Sequence, residues 1–167
     1  PEQVMALLNR YLGKMTDIIL HHGGTIDEFL GDAVLAAFGA PSVSADHATK
    51  AVNCAIQMQE AMAEINAENI ADGLPVIEMA IALNTGEVVA GNIGSERRSK
   101  YGFVGHQVNL TSRIEDDARP HEILISEQTY QALNGDQFVA GKSRTIKAKG
   151  IEELLTVYPI VGSSSNA

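Results

Sequence analysis

The chain has 167 residues, of which 45% are hydrophobic and 20% charged, with a formal net charge of −9. This is enough apolar material for one globular domain with a buried core, and the acidic balance excludes a nucleic-acid-binding surface, which needs clustered Lys and Arg. No apolar run reaches the length of a membrane span, and the single cysteine, Cys54, can form no intramolecular disulfide.

The first half of the chain predicts a helix, a hairpin and a second helix. Apolar residues from Val4 to Ile19 recur at helical spacing, and the run ends at the glycines of positions 23–24. Two strands are expected at 25–30 and 33–38, joined by a turn at Gly31 and Asp32. Ser44 or Asp46 can cap the second helix, which we expect to end at residues 72–73.

The second half alternates short strands with two helices. The strands are expected at 76–83, 88–93, 101–104, 122–125, 145–147 and 154–160. A loop at 94–99, a helix at 107–116 and a short helix beginning at Ser126 separate them. We assign residues 1–161 to one domain and 162–167 to a Ser-rich flexible tail. This order predicts an α+β sandwich, a mainly antiparallel sheet with flanking helices.

Three polar features are weak when each is taken alone. The turn at Gly31 and Asp32 is of a kind found wherever strands reverse. Asn109 and Arg113 are four residues apart on a helix, so they share a face and could grip one polyanionic group, although a solvated helix face has the same appearance. Lys149 could meet a phosphate or could be a protective charge on an edge strand.

Longer blocks of the sequence resemble the catalytic domain of class III adenylyl and guanylyl cyclases. The first block is residues 24–41, GTIDEFLGDAVLAAFGAP, and the second is 82–95, ALNTGEVVAGNIGS, continuing to VNLTSR at 108–113. The closing KGI at 149–151 matches the family's last motif. The motifs occur in order and at matching spacing over residues 7–158, and the resemblance implies the ferredoxin-like sandwich of the nucleotide cyclase fold.

The resemblance implies a role for each matching residue. Asp32 corresponds to the second metal-binding carboxylate, Asn109 to the residue that orients the ribose, and Arg113 to the one that steadies the transition-state phosphate. Lys149 corresponds to the triphosphate-binding cation, and Arg98, with Arg97 beside it, to a group that holds the terminal phosphates. The implied reaction is in-line attack of the ribose 3′-oxygen on the α-phosphorus with loss of pyrophosphate, assisted by two Mg²⁺ or Mn²⁺ ions in the complete domain.

Two further positions match those that select the base. Adenine-selective members of the family usually carry Lys and Asp or Thr there, and guanine-selective members carry Glu and a small residue; this sequence has Glu28 and Gly102. A carboxylate can accept hydrogen bonds from guanine N1–H and the 2-amino group, which adenine does not present. The resemblance therefore favours GTP as the substrate, with cyclic GMP and pyrophosphate as products.

The resemblance also implies a homodimer with two equivalent sites, in which the metal-binding hairpin of one subunit faces the Asn109 and Arg113 helix of the other. In the family, a strand and an Asp-Ile-x-Gly-Phe-Thr-like loop supply the first metal carboxylate, and this sequence begins at Pro1, after that segment. An adenylyl cyclase and a cyclase-like binding or regulatory module without turnover are alternative interpretations. We expect a cytoplasmic domain without membrane contact, whether or not other domains attach the parent protein to a membrane.

Overall fold

The computed structural model describes residues 1–133, 137–147 and 152–163. The helices are α1 (Glu2–His21), α2 (His47–Ala71), α3 (His106–Asp117) and α4 (Glu127–Ala132). The strands are β1 (Thr25–Leu30), β2 (Ala33–Ala37), β3 (Ile81–Leu83), β4 (Val89–Ser95), β5 (Arg98–Val104), β6 (Ile123–Ser126), β7 (Phe138–Ala140), β8 (Arg144–Lys147) and β9 (Leu154–Ser163).

The strands pair in three groups. β1 and β2 form an antiparallel hairpin, and so do β4 and β5. The main sheet has the order β3-β6-β9-β7, with β8 also paired to β9. β3 and β6 run parallel, and the pairings with β9 are antiparallel. The observed architecture is thus the expected α+β fold with mainly antiparallel strands and flanking helices.

Strand β6 divides the core of the main sheet between two helices. Its side chains alternate, so that Ile123 and Ile125 pack with residues of α2 while Leu124 packs with Ile114 of α3. A third cluster joins α1 and α2 to the inner face of the β1–β2 hairpin through Ile26. Helix α3, which carries the predicted phosphate-binding face, is therefore held against a fully buried strand.

The predicted strand at 76–83 is wrong in length, because only Ile81–Leu83 pairs as a strand. The side-chain amide of Asn66 in α2 accepts from the Ile77 N–H and donates to its carbonyl, at 2.8 and 2.9 Å. The Met79 carbonyl accepts from the Gln59 side chain and from the His121 backbone. Backbone groups that would join a ladder are thus already bonded elsewhere.

Three other expectations change at the ends of strands. The predicted 94–99 loop is a two-residue turn, since β4 continues to Ser95 and β5 begins at Arg98. Strand β7 was not predicted. It pairs with Gly162 and Ser163 at the end of β9, so the first two residues of the expected 162–167 tail lie in a strand. Residues 164–167 lie outside the described residues.

None of the helices in the described ranges is both long and apolar enough to cross a lipid bilayer.

Candidate active site

A β-bulge brings two adjacent carboxylates together. Ile26 pairs with Ala36 and Glu28 pairs with Leu35, so Asp27 is an extra residue without a partner on β2. In a regular strand, Asp27 and Glu28 would point to opposite faces. Here both approach one ammonium group, that of Lys100 on β5. The irregularity at Asp27 thus turns two neighbouring acids towards the same cation.

Lys100 forms an ion pair with Glu28. The Nζ atom of Lys100 donates to Glu28 Oε2 at 2.9 Å, and it lies 3.7 Å from Asp27 Oδ1. The hydrogen bond to Glu28 is the largest of the effects that raise the pKa of Lys100, and the charges of Asp27 and Glu28 add to it. Glu28 retains an exposed fraction of 41% and so stays open to solvent. The predicted base-reading carboxylate is therefore paired with a cation and still accessible to solvent.

Gly102 is buried two residues after Lys100 on β5. A Cβ atom at this position would lie 2.8 Å from Asp27 Oδ1 and 3.3 Å from Ile93 Cδ1. The first distance is shorter than side chains tolerate, so glycine lets the Asp27 carboxylate approach the backbone of β5. The structure thus brings the two predicted base-selecting positions, Glu28 and Gly102, to neighbouring strands of one protomer.

Helix α3 presents the other predicted pair. It begins after Gly105, whose φ of 140° is open to glycine and strained for other residues. Asn109 and Arg113 are both exposed on this helix, while Leu110 and Ile114 face the core. The Arg113 guanidinium lies 3.8 Å from Asp116, an exposed contact at the limit of an ion pair. Both side chains are therefore accessible to a ligand.

Asp32 lies exposed at the tip of the β1–β2 hairpin, next to Gly31, whose φ is 64°. Its charge reaches α1 and α3. The pKa of Tyr11 is raised to about 12, first by burial and then by the charges of Asp32 and Glu115. The pKa of Glu115 is raised by burial, then by Asp116 and Asp32. Burial and neighbouring acids cause both shifts, and no cation is among these causes. The hairpin tip therefore lies in a region of negative potential.

A carboxylate oxygen such as that of Asp32 is a suitable ligand for Mg²⁺ or Mn²⁺. A divalent ion needs several such ligands, and the described part of the chain brings no three His, Cys, Asp or Glu residues together. The described residues therefore offer one fitting ligand and do not make a complete metal site.

The remaining predicted site residues lie at the end of the β4–β5 hairpin or outside the described residues. Arg97 lies in the β4–β5 turn and Arg98 at the start of β5, both exposed. The backbone N–H of Arg98 donates to Ser95 Oγ at 3.3 Å, which places it at the hairpin end. Lys149 lies outside the described residues.

Sequence reasoning missed Lys100 and Asp27 as parts of this site. Lys100 received no role because it falls between the expected 94–99 loop and the strand expected at 101–104. A strand beginning at Arg98 would have put Lys100 and Gly102 on the same face, two residues apart, and so suggested their association. The bulge that turns Asp27 has no signature in the sequence.

This arrangement of an acidic hairpin, a glycine-bearing strand and a polar helix is that of a nucleotide cyclase domain. The family profile described as the adenylate and guanylate cyclase catalytic domain matches residues 1–162. The chain belongs to this family.

Solved structures of both substrate classes are similar to the chain. The guanylyl cyclase Cya2 is 49% identical with a TM-score of 0.94, covering 98% of this chain and 82% of its own. The adenylyl cyclase CyaB from P. aeruginosa is 36% identical with a TM-score of 0.90, covering 98% and 84%. Adenylate cyclase 1 of Rhizobium meliloti (strain 1021) is 32% identical over 163 residues, which are 97% of this chain. The chain spans 24% of that relative's length.

Proposed function

We propose that this domain converts GTP to 3′,5′-cyclic GMP and pyrophosphate. The observation that carries the proposal is the Glu28 carboxylate, held at 2.9 Å by Lys100 beside the buried Gly102. The resemblance assigns base selection to Glu28 and Gly102, and the geometry supplies a reason why they favour guanine.

A carboxylate in this position can only accept hydrogen bonds. Lys100 donates a hydrogen bond to Oε2 of Glu28, and the Glu28 side chain remains 41% exposed. Guanine offers N1–H and a 2-amino group to such an acceptor, whereas adenine would set its own N1 acceptor against it. An unsatisfied polar edge costs about 1–3 kcal/mol, which corresponds to roughly ten- to hundredfold discrimination. Gly102 adds no side chain that could pair with the 6-amino group of adenine.

The sugar and phosphates are assigned to α3 and the hairpin end. Asn109 would orient the ribose so that its 3′-oxygen faces the α-phosphorus, and Arg113 would take up charge as pyrophosphate leaves. Lys149 and Arg98 would bind the outer phosphates. Divalent ions, with Asp32 as one ligand, would neutralise the triphosphate and increase the acidity of the attacking hydroxyl.

We infer that the active unit is a homodimer with shared sites. The resemblance implies that the hairpin carrying Asp32 in one subunit faces the Asn109 and Arg113 helix of the other, so that each site is shared. The hairpins also leave apolar side chains exposed, which a second copy could cover. These side chains are Phe29, Leu30, Val89, Ile93 and Val104.

The test is the ratio of kcat/KM for GTP to that for ATP, measured with Mg²⁺ and with Mn²⁺ on the complete catalytic domain. We expect the ratio to exceed about ten, the lower end of the discrimination that one mismatched polar edge provides. A ratio below one would overturn the choice of GTP and favour the adenylyl cyclase interpretation, which the similarity to CyaB and Adenylate cyclase 1 supports. Nucleotide binding without turnover would instead identify a binding module.

A further inference from the structure

Asp27 is an ionisable side chain for which the proposed reaction has no use. Its side chain is only 4% exposed. Its Oδ1 atom has no hydrogen-bond partner anywhere in the described ranges. Burying such an acceptor without a partner costs free energy, so its presence requires a physical reason.

Two neighbours of Oδ1 bear on its role, the ammonium group of Lys100 and the backbone of β5 at Gly102. Lys100 Nζ lies 3.7 Å away, close enough for electrostatic attraction and too far for a hydrogen bond. On the other side, Oδ1 lies 2.8 Å from where a Cβ of residue 102 would be. Asp27 therefore fills the space that a larger residue at position 102 would need, and it does so next to the ammonium group that contacts Glu28.

We propose that Asp27 is a positioning residue for base selection, whose buried carboxylate holds Lys100 against Glu28. The inference rests on the proposed role of Glu28 in reading guanine. Lys100 has a long, flexible side chain that is 49% exposed, and Glu28 is exposed as well. An exposed ion pair of this kind is weak because both side chains lose conformational freedom when they pair. A second, buried negative charge restricts where the ammonium can lie, and so lowers the cost of fixing Glu28 for the base.

Asp27→Asn is the informative variant, since it keeps the shape of the side chain and removes its charge. We expect KM for GTP to rise about tenfold and kcat to change less than about threefold, because the loss is in binding and not in the chemical step. The kcat/KM for ATP should stay within about twofold, so the GTP to ATP ratio should fall about tenfold. Glu96→Gln, which neutralises an exposed acid in the β4–β5 turn, should leave the ratio unchanged.

A double-mutant cycle separates positioning from a general structural effect. In a Lys100→Met background, Asp27→Asn should change the ratio by less than about twofold, because the group through which Asp27 acts is gone. If the two substitutions multiply independently, Asp27 does not act through Lys100 and the inference is wrong.

The two possible failures look different. A wild-type protein that does not prefer GTP overturns the proposed function, and the role of Asp27 with it. A wild-type protein that prefers GTP, together with a folded Asp27→Asn variant that keeps the wild-type ratio, overturns the inference about Asp27 alone. Thermal unfolding midpoints of the variants show whether each is folded.

Discussion

The predicted base-selecting residues and the predicted phosphate-binding residues on α3 differ in how far their polar groups are organised within one protomer. Among the first, Lys100 lies 2.9 Å from Glu28 and 3.7 Å from Asp27. On α3, Asn109 is exposed and Arg113 has only a 3.8 Å contact with Asp116. The predicted base-selecting Glu28 is thus already paired within the protomer, whereas the positions of Asn109 and Arg113 are set mainly by their helix.

The two regions also differ in the backbone elements that carry them. Helix α3 packs through Ile114 against the buried β6 strand of the main sheet. The predicted base-selecting residues lie on two two-stranded hairpins, of which β1–β2 packs against α1 and α2. An ion pair joins Glu28 to Lys100, while Asn109 and Arg113 are positioned mainly by the backbone of α3. Changes to charge should alter selectivity in the first region and rate in the second.

The largest effects should come from substituting Asp32 and Arg113, each in a different chain. Asp32→Ala and Arg113→Ala should each reduce turnover by at least about a hundredfold, because each removes charge compensation at the reacting phosphate. Since we place the two residues on opposite walls of a shared site, a mixture of the variants should form heterodimers with one intact site. Random exchange of equal amounts should restore about a quarter of wild-type activity.

The control for this experiment is a mixture of each variant with itself, together with a demonstration by differently tagged chains that subunits exchange. A mixture that stays as inactive as its parents despite exchange would show that Asp32 and Arg113 serve the same protomer's site. That result would contradict the inferred homodimer with shared sites.

A smaller effect is expected when both predicted base-selecting residues, Glu28 and Gly102, are substituted. Glu28→Lys with Gly102→Asp should shift the ratio of kcat/KM for GTP and ATP towards ATP by about ten- to a hundredfold, because Lys donates to adenine N1 and Asp accepts from its 6-amino group. Total activity should fall, since a Cβ at position 102 would meet Asp27 Oδ1 at 2.8 Å. Gly102→Asp alone serves as the control for this crowding. A double variant with the parental ratio would remove Glu28 from base selection.

The smallest effect concerns the anchoring of α3. Arg144 on β8 donates to both Glu122 oxygens, at 2.9 and 2.7 Å, and to the backbone of Asp117 at the end of the helix. Arg144→Met should lower the free energy of unfolding by about 1.5–3 kcal/mol, the range for a hydrogen bond to a charged group, and leave the GTP to ATP ratio unchanged. A change in that ratio would show that the two regions are coupled.

The same contact gives a pH dependence of stability. The hydrogen bond from Arg144 holds the pKa of Glu122 below its usual value. A depressed carboxyl pKa stabilises the folded state above the unfolded-state pKa, and this contribution is lost as the pH falls through the folded-state pKa. Glu122→Gln should therefore flatten the acid side of the stability curve, which denaturant unfolding between pH 3 and 6 would measure. We expect equal slopes for the two proteins above that window.

Sequence patterns predicted the elements with strong periodicity. The hairpin around Gly31 and helices α1, α2 and α3 were found at nearly their observed bounds, because their apolar spacing and turn residues are local signals. The pairing of Lys100 with Glu28 joins residues 72 positions apart, and no local pattern encodes it. The roles of Asp32, Asn109 and Arg113 came from family motifs, and they stay predictions.

The hydrogen bonds between Asn66 and Ile77 mean that the start of β3 depends on a residue outside the strand. Residues 76–80 were expected to be part of a strand, but the side chain of Asn66 on α2 binds the backbone N–H and C=O of Ile77. Exchanging those residues for stronger strand formers would therefore leave the boundary at Ile81 in place. A substitution at Asn66 on α2, outside the strand altogether, would move it.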